Sequence, residues 1–145
     1  MFYFDTSFLV PLLLPEASSD KVQRFFGKSR TTPLAISQWT RVEVSSALAR
    51  EVRMRGLDPR TATMADTEFE VIVAETFVVL LPSSEDFDLC KQYLGRYETG
   101  LRAGDALHLA IAANHRATVI YSLDRKLLRA GRLLGLPMNS GIRGN

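Results

Sequence analysis

Phe2-Tyr3-Phe4-Asp5-Thr6-Ser7 is the stretch that decides the fold of this chain. Three apolar aromatic residues run into three with short oxygen-bearing side chains, the pattern of a buried strand that stops and hands over to a capped helix. The same alternation recurs downstream. Leu34-Ala35-Ile36-Ser37 is a short strand between Pro33 and a helical pattern that carries Val42, Leu48, Ala49 and Val52 and ends at Arg55-Gly56. Phe77-Val78-Val79-Leu80-Leu81, stopped by Pro82, is a third strand, and Thr118-Val119-Ile120-Tyr121-Ser122 a fourth. Leu136-Pro137-Met138 offers a short last one.

Helices fill the gaps. One is expected from Pro15-Glu16 to Phe25-Phe26 before Gly27, one from Asp58-Pro59 to about Ala74, and one behind the capping-box spacing of Ser83-Ser84-Glu85-Asp86. Residues 103–116 are rich in Ala and Leu, and Asp124 opens a final helix closed by Gly135. Short strands that are apolar on both faces, alternating with helices, indicate an α/β protein whose short parallel sheet is covered on both sides. The expected architecture is a three-layer α/β/α sandwich forming a single domain over residues 1–138, with a flexible tail at 139–145.

Composition limits the function classes. The chain has 145 residues, 46% hydrophobic and 23% charged, with a net charge of +2, which suits one globular core and excludes a chain disordered throughout. No apolar run approaches the length of a membrane span, and Met1-Phe2-Tyr3-Phe4-Asp5 lacks the basic and apolar regions of a signal peptide. The single cysteine, Cys90, has no disulfide or zinc partner and reads as a small apolar helix residue. A cytoplasmic setting is expected. The charge is uneven: residues 1–100 carry −3 and residues 101–145 carry +5. A basic C-terminal third could meet a phosphate backbone or an acidic partner, or be a solvated helix face.

Ligands of an open parallel sheet bind beyond the carboxyl ends of its strands. Four acids fall at boundaries that such a sheet gathers on one edge: Asp5, Glu43, Asp105 and Asp124. Each has an ordinary explanation alone. Asp5 could cap a turn, Glu43 could complete a capping box with Thr40, and Asp105 and Asp124 could favour helix N-termini. Together at one rim they would repel one another and raise their pKa values. A divalent cation resolves that conflict, and oxygen ligands without a Cys or His partner favour Mg²⁺ or Mn²⁺. Such a site beside a basic surface suits hydrolysis of phosphodiesters by activated water.

Four blocks carry a family resemblance: residues 3–10 (Tyr3-Phe4-Asp5-Thr6-Ser7-Phe8-Leu9-Val10), 40–48 (around Arg41-Val42-Glu43), 104–110 (Gly104-Asp105-Ala106-Leu107-His108-Leu109-Ala110) and 122–128 (Ser122-Leu123-Asp124-Arg125). In this order and spacing the chain resembles the PIN-domain ribonucleases, specifically the VapC-type toxins of toxin–antitoxin pairs. The resemblance implies a PIN-like fold and a Mg²⁺- or Mn²⁺-dependent endoribonuclease that leaves a 5′-phosphate. It also implies a homodimer and a cognate antitoxin that inserts into the active-site groove. Asp5, Glu43 and Asp105 would hold the metal, with Asp124 as a fourth acid acting directly or through water. Thr6 would orient the cluster, and Ser122 stands where the family often has Thr.

Other readings remain. A catalytically silent RNA- or protein-binding module would share the fold, though it would not need all four acids. An aspartate-nucleophile phosphatase would want a second Asp two residues after the first, where Ser7 stands, and a receiver domain would want an acidic pair and a differently placed Lys. His108 sits inside an Ala/Leu-rich helix and reads as a hydrogen-bonded core or groove-edge residue rather than a base. His115 suits a helix C-terminus and Trp39 suits packing. Thr31, Thr32 and Arg102 could touch phosphate, and Arg102 is the better candidate because it is near Asp105. The Arg125, Lys126, Arg129 and Arg132 series could face RNA, a dimer partner or an antitoxin.

Overall fold

The computed structural model describes residues 1–28 and 31–142. Its five strands are β1 (Phe2–Phe4), β2 (Leu34–Ser37), β3 (Val78–Leu80), β4 (Val119–Tyr121) and β5 (Met138–Asn139). All pair in parallel in the order β3-β2-β1-β4-β5. The helices are α1 (Thr6–Leu9), α2 (Ser19–Phe26), α3 (Gln38–Arg53), α4 (Pro59–Thr76), α5 (Ser84–Leu94), α6 (Ala103–Asn114) and α7 (Arg125–Leu133), and a 3-10 turn spans Val10–Leu12. β1 is central, and Phe2 is in register with Leu34 on one side and Val119 on the other.

Strand alternation separates two cores. Tyr3, Ala35, Leu80 and Ile120 pack with residues of α5, α6 and α7. Their neighbours Phe4 and Ile36 pack on the opposite face with Phe8, Phe25, Val44, Leu48 and Phe69 from α1 to α4. Successive side chains of a strand point to opposite faces, so a three-residue strand suffices to join three layers. Phe4 is the pivot of the second core. Its ring stacks on Tyr121 at 5.0 Å and 14° and meets Phe8, Phe25, Phe26 and Phe77 at 5.2–5.9 Å. This cluster fixes the carboxyl end of β1, and hence the backbone that carries Asp5.

Local chemistry sets the helix boundaries. Asp58 caps α4 ahead of Pro59, and Ser83 with Asp86 forms the expected capping box of α5. Helix α2 begins at Ser19 rather than at Pro15. The Ser19 hydroxyl accepts from the Glu16 amide (2.9 Å) and donates to the Leu14 carbonyl (3.3 Å), so a side chain holds residues 14–19 as a turn. The α3 box pairs Ser37 with Thr40, and Glu43 lies a turn further on, free of capping duty. The expected tail also differs: β5 includes Asn139, and Ile142 packs against the phenylalanine core. Residues 143–145 of that tail, like Ser29 and Arg30, lie outside the described residues. Among the described residues, no helix is long and apolar enough to cross a membrane.

Candidate metal centre and its grooves

The chain leaves β1 toward β2 and β3 on one side and returns to β4 and β5 on the other. The ends of β1 and β4 therefore form the point where the winding direction switches, the place where a crevice opens in such sheets. Asp5 follows β1 there and Ser122 follows β4. The Asp5 carboxylate is 4% exposed, accepting from the Ser122 hydroxyl (2.8 Å), the Ser7 hydroxyl (2.7 Å) and the Phe8 amide (3.2 Å). Burial pushes its pKa up to about 6, against the lowering effects of His108 and of these donors. Asp5 therefore also caps α1.

Glu43 projects from α3 toward the same crevice. Its Oε2 accepts from the Thr6 hydroxyl (2.5 Å) and from His108 Nε2 (2.5 Å). His108 Nδ1 meets the Tyr3 hydroxyl at 2.8 Å, and Tyr3 donates to Ser37 at 3.0 Å. With Tyr3 and Thr6 already donating elsewhere, this chain is satisfied when His108 donates from both ring nitrogens, as an imidazolium. Burial opposes that charge, but Tyr3, Glu43 and Asp5 outweigh it and raise the His108 pKa. Burial likewise opposes ionisation of Glu43, while His108, Thr6 and Trp39 overcome it and hold its pKa below the usual carboxylate range. The Trp39 indole N–H is near enough for that effect, yet it is buried without an acceptor at hydrogen-bonding geometry.

Asp105 and Asp124 form an open half. Asp105, in the first turn of α6, is half-buried, and among the described residues no donor reaches it. Its pKa is raised by burial, then by Asp124 and Glu43, with smaller opposing effects from His108 and Arg102. Asp105 thus lies within electrostatic reach of both Asp124 and Glu43. Asp124 caps α7 through Oδ1, which accepts from the Lys126 (2.7 Å) and Leu127 (3.2 Å) amides. Between them runs a groove of about 460 Å³, lined by both acids and by Arg102, Arg125 and Lys126.

The sequence did not single out Ser7 or Gly104. The Ser7 hydroxyl holds Asp5 and also accepts from the Leu123 (2.9 Å) and Asp124 (3.2 Å) amides, tying the two strand ends together. A Cβ at Gly104 would lie 2.8 Å from Glu43 Oε1 and 3.3 Å from Trp39 Cζ2, so the bare Cα is what admits the glutamate. The glycine beside an acid at a helix start was the available signal. His108 is buried and hydrogen-bonded, as read, and its partner is Glu43 itself. His115 caps α6 onto the Ile111 carbonyl. Cys90 is buried in α5 with a reduced thiol.

As they stand, no three Asp, Glu, His or Cys side chains among the described residues converge closely enough to hold one metal ion. The donor set nonetheless fits a hard cation. Mg²⁺ retains several waters and needs only one or two carboxylates, and Asp105 with raised pKa beside two further acids is a carboxylate that a cation would stabilise in its charged form.

The fold is that of an α/β protein with a crevice at its switch point, and sequence comparison gives the family: residues 2–133 match the PIN domain, and the chain belongs to that family. No curated protein matches it by sequence. Among solved structures it is similar to the sarcin–ricin loop cleaving toxin VapC20 of Mycobacterium tuberculosis (20% identity, 90% of this chain and 95% of that one, TM-score 0.73). It is also similar to VapBC-1 of nontypeable Haemophilus influenzae (15%, 99% and 100%, 0.70). A third is VapBC2 of Rickettsia felis bound to a DNA fragment from its promoter (12%, 96% and 98%, 0.68). At these identities the likeness is one of fold.

Proposed function

We propose that this protein is a Mg²⁺- or Mn²⁺-dependent endoribonuclease and the toxin of a toxin–antitoxin pair. The observation that supports the reading is Asp105, which feels the charges of Glu43 and Asp124 beside a groove lined by Arg102, Arg125 and Lys126, with Asp5 at the switch point of the sheet. Asp5, Asp105 and Glu43 would hold the cation, with Asp124 at its margin. When bound, the cation lowers the pKa of a water and neutralises charge on the phosphoryl group. The remaining work belongs to the chain. Ser7 and Ser122 orient Asp5, Thr6 and His108 orient Glu43, and the three basic residues hold the RNA backbone. Similarity to a toxin that cleaves the sarcin–ricin loop supports RNA as substrate, and similarity to VapBC structures supports a cognate antitoxin. The protein is expected to act as a homodimer in the cytoplasm.

The test is cleavage of a mixed single-stranded and structured RNA pool with Mg²⁺, with Mn²⁺ and with EDTA, alongside Asp5→Asn. Metal-dependent products missing from a folded variant support the reading. Cleavage that persists in EDTA or in Asp5→Asn refutes it.

A further inference from the structure

A second cleft meets the acid site from the other side. It is a cleft of about 630 Å³ that opens broadly to solvent, and its walls include Val10, Ala17, Leu123 and Ile142 together with the oppositely charged Glu16 and Lys21. Its volume is within the about 300–1,000 Å³ range of sites that enclose a small molecule. Asp124 is a wall of both this cleft and the basic groove. The two differ in balance: the groove sets three cations beside Asp105 and Asp124, whereas the cleft sets four apolar side chains among charged and hydroxyl-bearing ones.

A nucleotide has the same asymmetry, a charged phosphate joined through its sugar to a flat, largely apolar base. From this match we propose that the cleft is a specificity subsite that takes one unpaired nucleobase of the RNA strand whose phosphates lie in the basic groove. The inference rests on the ribonuclease reading above. The apolar residues sandwich the faces of the base, while Glu16 accepts from and Lys21 donates to its edge, the usual way an extruded base is read. Both side chains are exposed, and among the described residues neither is in an ion pair, so both are available. Ser7, which also lines the cleft, is committed to Asp5 and couples this wall to the metal-side carboxylate.

Ala17 is an exposed turn residue on the cleft wall, so Ala17→Trp fills the space without entering either core. Binding of rA, rC, rG and rU hexamers with Mg²⁺ is measured by fluorescence anisotropy on Asp5→Asn protein and on Asp5→Asn/Ala17→Trp, with thermal melts confirming that both are folded. The parent is expected to discriminate among the four by about tenfold, within the range of one base contact, and the double variant by less than about twofold. In the otherwise wild-type protein, Glu16→Gln is expected to change the base favoured beside the cut in a randomised RNA. Equal discrimination in the parent and the Ala17→Trp variant, or no discrimination in the parent, overturns the proposal and leaves the cleft to a protein partner. If wild-type protein cuts no RNA but base discrimination is present and is lost on filling the cleft, the subsite stands and the hydrolytic reading falls.

Discussion

The two halves of the acid site are built differently. Asp5 and Glu43 are embedded among donors: two serines and an amide for the first, a threonine and a buried histidine for the second. Asp105 and Asp124 face a groove that exposed basic residues also line; among the described residues no side chain donates to either, and Asp124 is held by the backbone amides it caps. A buried polar network that is fully satisfied is rigid, and losing one member leaves an unpaired charge. The open half has charge to spare and little to hold it. The embedded half therefore supplies geometry at the expense of sensitivity to mutation, whereas the open half supplies the negative potential that a cation and a polyanion must share.

That contrast breaks if the open half proves structural. Asp105→Asn is expected to reduce RNA cleavage by about 10³-fold, roughly 4 kcal/mol of transition-state stabilisation, while the melting temperature holds or rises because a raised-pKa carboxylate has been neutralised. Initial cleavage rates and a thermal melt on one preparation check both. A large fall in melting temperature would show that Asp105 belongs with the embedded acids.

The embedded half should respond in stability first. Glu43→Gln leaves the buried His108 imidazolium without its counter-ion, expected near the lower end of the about 3–5 kcal/mol of a broken buried pair, because the Glu43 side chain is 27% exposed. Chemical denaturation at pH 7 measures it. A raised His108 pKa makes the pair stabilising below the ordinary imidazole pKa, with that contribution lost as pH rises through the folded-state value. The variant should therefore differ most from wild type at mildly acidic pH.

Asp5 sharpens the comparison because its charge is a cost rather than a gain, although it too weakens the fold as pH rises. Its pKa is raised from 3.8 to about 6 by burial, so the folded state holds this proton more tightly than the unfolded chain. The contribution costs nothing below pH 4, grows as pH rises toward 6 and is constant above, on the order of 2–3 kcal/mol. Asp5→Asn should be inactive yet more stable than the metal-free wild type at pH 7, and equally stable near pH 3.5. Denaturation midpoints across that range check it, and a destabilised variant at pH 7 would mean that the serine hydrogen bonds outweigh burial.

Much of this was legible because it is local. Phe2-Tyr3-Phe4 before Asp5, Asp58 before Pro59, and Ser83 three residues before Asp86 each specify a strand end or cap from neighbours in the chain. The positions of all four acids at helix starts or strand ends follow from the same reading. What was not legible lies across the sheet. Ser7 meets Leu123 and Asp124 some 116 and 117 residues away, and Tyr3 meets His108 across 105, contacts that exist only once β1 pairs with β4. Helix α2 starts four residues after Pro15 because a single hydroxyl, that of Ser19, competes with the backbone for residues 14–19.

Gly104 joins the halves, so its substitution tests whether they work together. Gly104→Ala, at the second residue of α6, gains less than the about 1 kcal/mol of a helix interior, and its Cβ would press to 2.8 Å from Glu43 Oε1. Moving the carboxylate strains its contacts with Thr6 and His108, so the expected result is a modest loss of stability together with cleavage lowered about tenfold. Loss of stability without loss of rate would place the strain on the backbone instead.

The smallest effects should come from the groove cations. Arg125 and Lys126 are exposed on α7, and neither is in an ion pair among the described residues. If each meets one phosphate of a single strand, Arg125→Ala or Lys126→Ala should lower the slope of log affinity against log salt by about 0.7. Affinity would then weaken equally for all four homopolymers, since a phosphate contact carries no sequence information. Titrations at several salt concentrations on the Asp5→Asn protein measure this without cleavage. An unchanged slope in both variants would remove α7 from the RNA path and leave Arg102 to carry the phosphate contact of the groove. A base-dependent loss would instead mean that the basic groove reads sequence, and the division between a phosphate side and a base side of Asp124 would fall.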